Sequence, residues 1–212
     1  MDHNIHLDTL ISRYPALAGQ KESIAKAFDI MKACYEQGGK LMIAGNGGSA
    51  SDAEHIVGEL MKRFHLPRPV TEEFARKLKA VDPVRGSLLA KNLERNLPAI
   101  ALTTHEALTT AYCNDVDASC IYAQQLIGYA KPGDVFLGIS TSGNSKNVLN
   151  AVVAAKATGV KVIGLTGGSG GELAKLADTA VVVPETDTYR IQELHLPVYH
   201  CWCLMLEEHF FG

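Results

Sequence analysis

Five short, continuously apolar segments constrain the fold of this chain more than any other feature. They alternate with stretches of helical character and lie at residues 40–45, 98–103, 134–140, 161–167 and 179–184. Continuous rather than alternating hydrophobicity indicates strands that are buried on both faces, as in a parallel sheet covered by crossover helices. The sequence therefore predicts an α/β fold, a three-layer sandwich with a five-stranded parallel sheet flanked by helices.

Helical periodicity dominates both ends of the chain. Apolar residues between 5 and about 37 recur at helical spacing and predict two N-terminal helices, the second of which ends near Gly38. The stretch at 189–210 is apolar on more than one face, which indicates a helix that packs against another subunit or is deeply buried. With 212 residues, of which 47% are hydrophobic, the chain has the length for one domain spanning 1–212.

A charged stretch at about 68–96 separates the first two predicted strands. It is too polar for a sheet strand and too periodic for a disordered linker. The sequence predicts an inserted helical segment, a hairpin broken at Asp82-Pro83 and again at Gly86.

Composition excludes several classes of partner. The formal net charge of −3 leaves no basic excess for nucleic acid or an anionic membrane surface. No apolar run approaches the roughly 20 residues that span a bilayer, and the N-terminus does not resemble a secretory signal. The five cysteines lack the spacing of a disulfide or zinc scaffold, which favours a reducing cytoplasm. We expect a cytoplasmic protein without nucleic-acid or membrane partners.

Three predicted strands run directly into small-residue loops, GNGGSAS at 45–51, STSGNS at 140–145 and TGGSGG at 166–171. Ligands of parallel sheets bind at the carboxyl ends of strands, where helix N-termini offer free N–H groups. Any one such loop is equally typical of ordinary turn and capping chemistry, but together the loops predict an anion site. The second loop also supplies hydroxyl groups and is the best phosphate cradle.

The same loops exclude three other classes of site. GNGGSA fits a dinucleotide fingerprint, but no strand-ending acid follows about 20 residues later. None of the loops ends in the Gly-Lys-Ser/Thr of a Walker motif. The GISTS stretch at 138–142 lacks the closing glycine of a nucleophile elbow.

Two helical pairs could hold a metal ion. His55 and Glu59 are four residues apart on the helix after the first loop, and Gln192 and His200 are eight apart on the last helix, so each pair shares a face. A solvated or ion-paired surface has the same spacing. His195 lacks a comparable partner and is interpreted, like His209, as a surface or interface residue.

Several segments in this order resemble the phosphoheptose (sedoheptulose 7-phosphate) isomerases of the SIS domain superfamily. The segments are GNGGSASDAEH followed by Glu59, Asn114-Asp115, GISTSGNSKNV, and RIQELH with His200 beyond. The resemblance implies a ketose–aldose isomerase that converts D-sedoheptulose 7-phosphate to D-glycero-D-manno-heptose 7-phosphate through an enediol(ate). It also implies a zinc-dependent homotetramer with active sites between subunits.

The resemblance carries roles to individual residues. It implies Glu59 as the catalytic base and His200 as the acid. The implied zinc ligands are His55, Glu59, Gln192 and His200. The implied substrate-binding residues are Asn46, Gly47, Gly48, Glu59, Asn114, Asp115, Ser140, Thr141, Ser142, Ser145 and Gln192. Two departures from the family pattern are the inserted segment at 68–96 and Tyr189, where some members carry an acid.

Two alternative functions remain open at this stage. One is an SIS isomerase that acts on another ketose phosphate. The other is a non-catalytic SIS tetramer that binds a protein partner, similar to the replication-initiator-associating type. Retention of all four implied metal ligands favours an enzyme over a scaffold.

Overall fold

A computed structural model describes residues 4–212. The strands are β1 (Leu41–Ala44), β2 (Ala99–Ala101), β3 (Val135–Ser140), β4 (Lys161–Gly167) and β5 (Thr179–Val183). They form a five-stranded sheet in the order β2-β1-β3-β4-β5, and each neighbouring pair is parallel. The predicted five-stranded parallel sheet is confirmed.

The helices fill the segments between and beyond the strands. They are α1 (Asn4–Arg13), α2 (Lys21–Glu36), α3 (Gly48–Met61), α4 (Glu72–Val81), α5 (Pro83–Asn92), α6 (Glu106–Tyr112), α7 (Ile121–Tyr129), α8 (Lys146–Ala157), α9 (Gly171–Leu176) and α10 (Thr188–Phe211). A 3₁₀ turn at Pro15–Gln20 joins the two N-terminal helices, and a π-helical turn at Cys113–Asp117 extends α6. The two predicted N-terminal helices are confirmed.

Successive residues of each strand feed two separate cores. Leu41 and Ile43 of β1 pack with α1, α2, α3 and α10, whereas Met42 and Ala44 pack with α7, α8 and α9. Because side chains alternate across a strand, a continuously apolar strand must be covered on both faces. This arrangement confirms the three-layer sandwich.

The strand order creates a crevice at β1. The chain leaves β1 toward β2 and then crosses back to β3 on the other side of β1. The helix after β1 covers one face of the sheet and the helix after β3 covers the other. Their loops therefore diverge at the carboxyl edge, where ligands of open α/β sheets bind.

The inserted segment is a helical hairpin of α4 and α5. Asp82 separates the two helices and caps α5, because its Oδ1 accepts from the backbone N–H groups of Val84 and Arg85. The prediction of a break at Gly86 was wrong, since Gly86 lies within α5. A Cβ atom there would lie 2.2 Å from the carbonyl oxygen of Leu78, so this glycine allows close helix packing.

The last helix is buried largely within its own chain. Its apolar residues pack with α1, α2 and α3, and Trp202 Nε1 donates to the carbonyl oxygen of Ile24 at 3.0 Å. Deep burial therefore accounts for much of its apolar surface. Across residues 4–212, no helix combines the length and the hydrophobicity needed to cross a bilayer.

Candidate active site

The loops after β1 and β3 are joined by a pair of amides. Asn46 Nδ2 donates to Asn147 Oδ1, and Asn147 Nδ2 donates back to Asn46 Oδ1, both at 2.9 Å. The Tyr122 hydroxyl donates to the carbonyl oxygen of Gly45 at 2.6 Å. Gly47 precedes α3 with a φ of +56°, a conformation that favours glycine. The first loop is thus held against the start of α8.

The serine-rich loop lies between β3 and α8. Ser140 is buried at the end of the strand, and its Oγ is 2.9 Å from Ser145 Oγ, the residue that precedes α8. Ser142 Oγ accepts from the backbone N–H of Asn144 at 3.2 Å. Hydroxyl groups and the free N–H groups of a helix start are suitable donors for a phosphate. The predicted cradle therefore has the local geometry of an anion site.

The third loop supports the second one. Gly167 N donates to the Thr141 carbonyl oxygen at 3.1 Å, and Leu173 N donates to the Gly143 carbonyl oxygen at 2.9 Å. The backbones approach so closely that a Cβ atom on Gly143 would lie 2.0 Å from the Gly170 carbonyl oxygen. The glycines of this loop thus have a packing role beside the cradle.

Helices α3 and α10 bring the predicted acid–base residues together. His55 Nε2 lies 3.2 Å from Glu59 Oε1 and 3.5 Å from His200 Nε2. Glu59 Oε2 lies 3.2 Å from Lys62 Nζ. The Glu59 side chain is 13% exposed and the His55 side chain 42%, so the cluster is partly sheltered but open to a small molecule.

A second layer of contacts supports His55. Its Nδ1 lies 3.0 Å from the Tyr199 hydroxyl, which is 3.2 Å from Asp52 Oδ1. Sequence reasoning missed both residues. A signal was present for Asp52, which lies three residues before His55 on the same face of α3, but not for Tyr199, because adjacent residues of a helix do not share a face.

Burial changes the pKa values of these groups. It lowers the pKa of His200, with a further lowering from His55 that Glu59 opposes. It raises the pKa of Tyr199 together with the neighbouring Asp52 carboxylate. Burial also raises the pKa of Asp52, against the hydrogen bond from Tyr199 and the charge of His55. Burial therefore favours the neutral form of His200, which has one lone pair and one N–H group.

The spacing of the donor atoms around His55 matches the geometry of a zinc ion. Ligand atoms at tetrahedral zinc, with bonds of about 2.0–2.1 Å, are about 3.3 Å apart. The His55–Glu59 and His55–His200 separations of 3.2 and 3.5 Å fit this value. No group of three or more His, Cys, Asp or Glu side chains within residues 4–212 forms a ready-made ion site. Each of the two pairs therefore has the separation expected of two ligands of one metal ion, and metal binding stays a prediction.

Gln192 of α10 lies against the start of α3. Its side chain packs against Gly48, where a Cβ atom would lie 2.4 Å from Gln192 Nε2. Gly48 is the first residue of α3 and adjoins the first loop. The structure thus places Gln192 beside the predicted substrate loop, while its role as a fourth metal ligand stays a prediction.

Asn114 and Asp115 lie on the exposed π-helical turn after α6. Asn114 Nδ2 donates to Asp115 Oδ1 at 2.8 Å. Within residues 4–212, no hydrogen bond or ion pair joins either residue to the acid–base cluster. Their contribution to a substrate site stays a prediction.

His195 differs from its interpretation as a surface or interface residue. It is fully buried, and among the described residues neither ring nitrogen has a hydrogen-bond partner. Burial lowers the pKa of His195 to about 4, and the neighbouring backbone of Thr166 opposes this shift. His209 is half-buried, with its Nε2 2.9 Å from Glu36 Oε1.

Comparisons with known proteins identify the family. The SIS domain family matches residues 8–96 and 86–167. A phosphoheptose isomerase of Sulfurimonas denitrificans is 37% identical over 91% of this chain and 95% of its own length. The chain belongs to the phosphoheptose isomerase family of SIS-domain proteins. It is therefore an enzyme, a sugar-phosphate isomerase.

Solved structures agree with the assignment to the phosphoheptose isomerase family. The phosphoheptose isomerase of Neisseria gonorrhoeae superposes with a TM-score of 0.75 at 32% identity, over 96% of both chains. The enzyme from Francisella tularensis gives a TM-score of 0.73 at 32% identity, over 97% of this chain and 96% of its own. The resemblance stated from the motifs and the α/β SIS fold are both confirmed.

Proposed function

We propose that this isomerase converts D-sedoheptulose 7-phosphate to D-glycero-D-manno-heptose 7-phosphate with the assistance of a metal ion. The observation that carries the proposal is that His55 contacts both Glu59 on α3 and His200 on α10. Family relatives named phosphoheptose isomerase supply the substrate class.

Glu59 is the proposed base. Isomerisation removes a proton from C1 of the ketose, forms an enediol(ate), and returns a proton to C2 of the aldose. The Glu59 side chain is 13% exposed, so a small part of it stays accessible to C1 of the substrate while most water is excluded. Its contacts with His55 and Lys62 keep the carboxylate in place between the two steps.

His200 is the proposed acid for the oxygen atoms. As C1 loses its proton, the carbonyl oxygen O2 must gain one; as C2 is later protonated, the hydroxyl proton on O1 leaves and can restore the acid. A neutral imidazole can donate through one nitrogen while the other is engaged, and His200 Nε2 already faces His55. We therefore assign the donated proton to the Nδ1 side of His200.

A zinc ion at this place would be held by His55, Glu59 and His200, with Gln192 completing the set through a change of its side chain. When bound, such an ion stabilises negative charge on the substrate oxygens as a Lewis acid. A weakly binding amide ligand suits a catalytic site rather than a closed structural site.

The serine-rich loop is the proposed phosphate site. Ser140, Thr141, Ser142 and Ser145 and the first turn of α8 supply its donors. Asn46 contacts Asn147 at the start of α8, and Gly48 lies against Gln192 of α10, so we assign Asn46, Gly47, Gly48 and Gln192 to the rest of the substrate site. Helix α3 rises about 10 Å between Gly48 and His55 at 1.5 Å per residue, so a ligand bound at both ends must be extended.

Assembly completes the proposal. We propose a homotetramer in the cytoplasm, in which the exposed Asn114 and Asp115 of one subunit approach the substrate site of another. Their exposure on this turn, and the absence of a hydrogen bond or ion pair to the acid–base cluster within residues 4–212, support this arrangement.

The test is conversion of the sugar followed by NMR. Metal-loaded protein is incubated with sedoheptulose 7-phosphate and, for comparison, with fructose 6-phosphate or ribulose 5-phosphate. A chelator-treated sample and a zinc-restored sample serve as controls. We expect the aldose heptose 7-phosphate to appear, to vanish on chelation and to return with zinc.

Other outcomes separate the alternatives. Conversion of only another ketose phosphate would replace the substrate and retain the chemistry. Conversion that resists chelation would remove the metal from the proposal. A protein that holds no metal and converts none of the sugars would contradict the catalytic proposal and favour the scaffold that binds a protein partner.

A further inference from the structure

We infer that Tyr199 and Asp52 form a positioning pair that orients His55 and leaves its Nε2 atom available to a metal ion. This inference rests on the proposed metal-assisted function and adds two residues outside the predicted ligand set. Asp52 and His55 lie on α3, and Tyr199 reaches them from α10. The pair therefore acts at the junction of the two helices that carry the candidate centre.

The hydrogen-bond chain determines which ring nitrogen carries the proton. The Tyr199 hydroxyl has one proton, which it donates to Asp52 Oδ1 at 3.2 Å. Its oxygen is then free to accept from the Nδ1–H group of His55 at 3.0 Å. A neutral imidazole with its proton on Nδ1 has a lone pair on Nε2. That lone pair points to the side where a metal ion would bind.

The opposite edge of the ring faces the other predicted ligands. His55 Nε2 lies beside Glu59 Oε1 and His200 Nε2, at 3.2 and 3.5 Å. Without a metal ion, an imidazole that carried a proton on Nε2 instead could share it with the Glu59 carboxylate. A metal ion must replace that proton, and an acceptor held at Nδ1 favours the replacement because it keeps the remaining proton on the far side of the ring.

Burial makes the pair rigid. Tyr199 is 1% exposed, and its ring packs edge to face with the rings of His55 and His200 at centroid distances of 5.5 and 5.1 Å. Asp52 Oδ2 is buried, and within residues 4–212 it has no hydrogen-bond partner. Water therefore competes poorly for the hydroxyl, and the orientation of His55 depends on this contact.

A purely structural role makes a different prediction. If the Tyr199 hydroxyl only satisfied buried polar atoms, its removal would lower thermal stability and leave metal affinity unchanged. The test therefore starts from metal-free protein. Its zinc affinity is measured by competition with a chelator, and its absorption spectrum is recorded after Co²⁺ is added.

Two variants and one control separate these roles. Tyr199→Phe removes the hydroxyl and keeps the ring. Asp52→Asn keeps the shape at a half-buried position but offers an amide donor, which turns the Tyr199 proton toward His55 and moves the imidazole proton to Nε2. The control is Tyr35→Phe, because Tyr35 is also buried and, among the described residues, its hydroxyl has no hydrogen-bond partner.

We expect zinc affinity to fall about 10- to 100-fold in Tyr199→Phe, the range measured for outer-shell partners of metal ligands. Asp52→Asn should lose at least as much, and it also serves as the test if Tyr199→Phe does not fold. In zinc-loaded wild type, the Nδ1 proton of His55 should exchange slowly with water, and its NMR signal should disappear in Tyr199→Phe. Tyr35→Phe should match wild type in both measurements.

The outcomes distinguish this inference from the proposed function. If wild type binds zinc and both variants bind it equally well, the positioning role is wrong and the proposed isomerase is unaffected. If wild type binds neither zinc nor cobalt, the metal-assisted function is wrong and the positioning role is lost with it.

Discussion

Glu59 makes two contacts at once, one with each carboxylate oxygen. One oxygen faces His55 and the other faces Lys62. If Glu59 is the base, Glu59→Gln should lower kcat by about 10²- to 10⁴-fold, the usual contribution of a positioned base. A coupled aldose assay gives kcat, and thermal unfolding gives the control for stability.

His200→Ala should lower kcat by a similar factor for a different reason, since it removes the proposed oxygen acid. Metal content measured on the same samples separates loss of chemistry from loss of the ion. Full activity in both variants would contradict the assignment of the acid and the base.

Gly48 and Gly58 offer a matched pair on the same helix. A Cβ atom at Gly48 would lie 2.4 Å from Gln192 Nε2, whereas one at Gly58 would have nothing within 4 Å. We expect Gly48→Ala to displace Gln192 and raise KM several-fold without loss of stability. Gly58→Ala should retain KM and raise the free energy of unfolding by about 0.5–1 kcal/mol, because alanine favours helix. An unchanged KM in Gly48→Ala would contradict a role for Gln192 at the site.

At the scale of the element, α10 anchors the segment that follows α3. Glu207 is buried, pairs with Arg68 at 2.7 Å, and accepts from the backbone N–H groups of Phe64, His65 and Leu66. Burial alone would raise the pKa of Glu207, but these backbone bonds and Arg68 lower it overall. The ionised Glu207 carboxylate therefore stabilises the fold at pH values above its pKa in the unfolded chain. This stability is lost as the pH falls through its pKa in the folded chain.

Glu207→Gln should lower the free energy of unfolding by about 3–5 kcal/mol, because it leaves Arg68 buried without its counter-charge. Chemical denaturation measures the change. Lys77→Gln is the control, since it breaks an exposed ion pair with Glu73 and should cost at most about 0.5 kcal/mol. Equal effects of the two substitutions would contradict the anchoring role of α10.

At the scale of the whole molecule, the free energy of unfolding should depend on pH through the protonation of His195. Its folded pKa is lowered by burial from 6.5 to about 4. Below pH 6.5, His195 therefore binds a proton in the unfolded chain but not in the folded chain. The free energy of unfolding falls as pH falls toward 4. At about 1.4 kcal/mol per pKa unit, the loss over this window is roughly 3 kcal/mol. Denaturation at several pH values measures it, and an equally steep slope in His195→Gln would contradict this origin.

The sequence predicted the architecture because burial on both faces leaves a local signal in each strand. The serine-rich loop also leaves a local signal in its composition, and so do His55 and Glu59 in their spacing on one helix. Contacts between distant segments leave no such signal, and Glu207 meets Arg68 139 residues away. Gly86 was misinterpreted because a glycine that breaks a helix and one that allows close helix packing are the same letter.

The most direct measurement of the central claim is isomerisation in D₂O. If Glu59 removes the C1 proton and returns one to C2, wild type should form heptose 7-phosphate that carries deuterium on C2, because the carboxylate exchanges its proton with solvent. Glu59→Gln should form almost no product. Product with only protium on C2, formed equally fast by Glu59→Gln, would indicate transfer without a carboxylate base and would contradict the account.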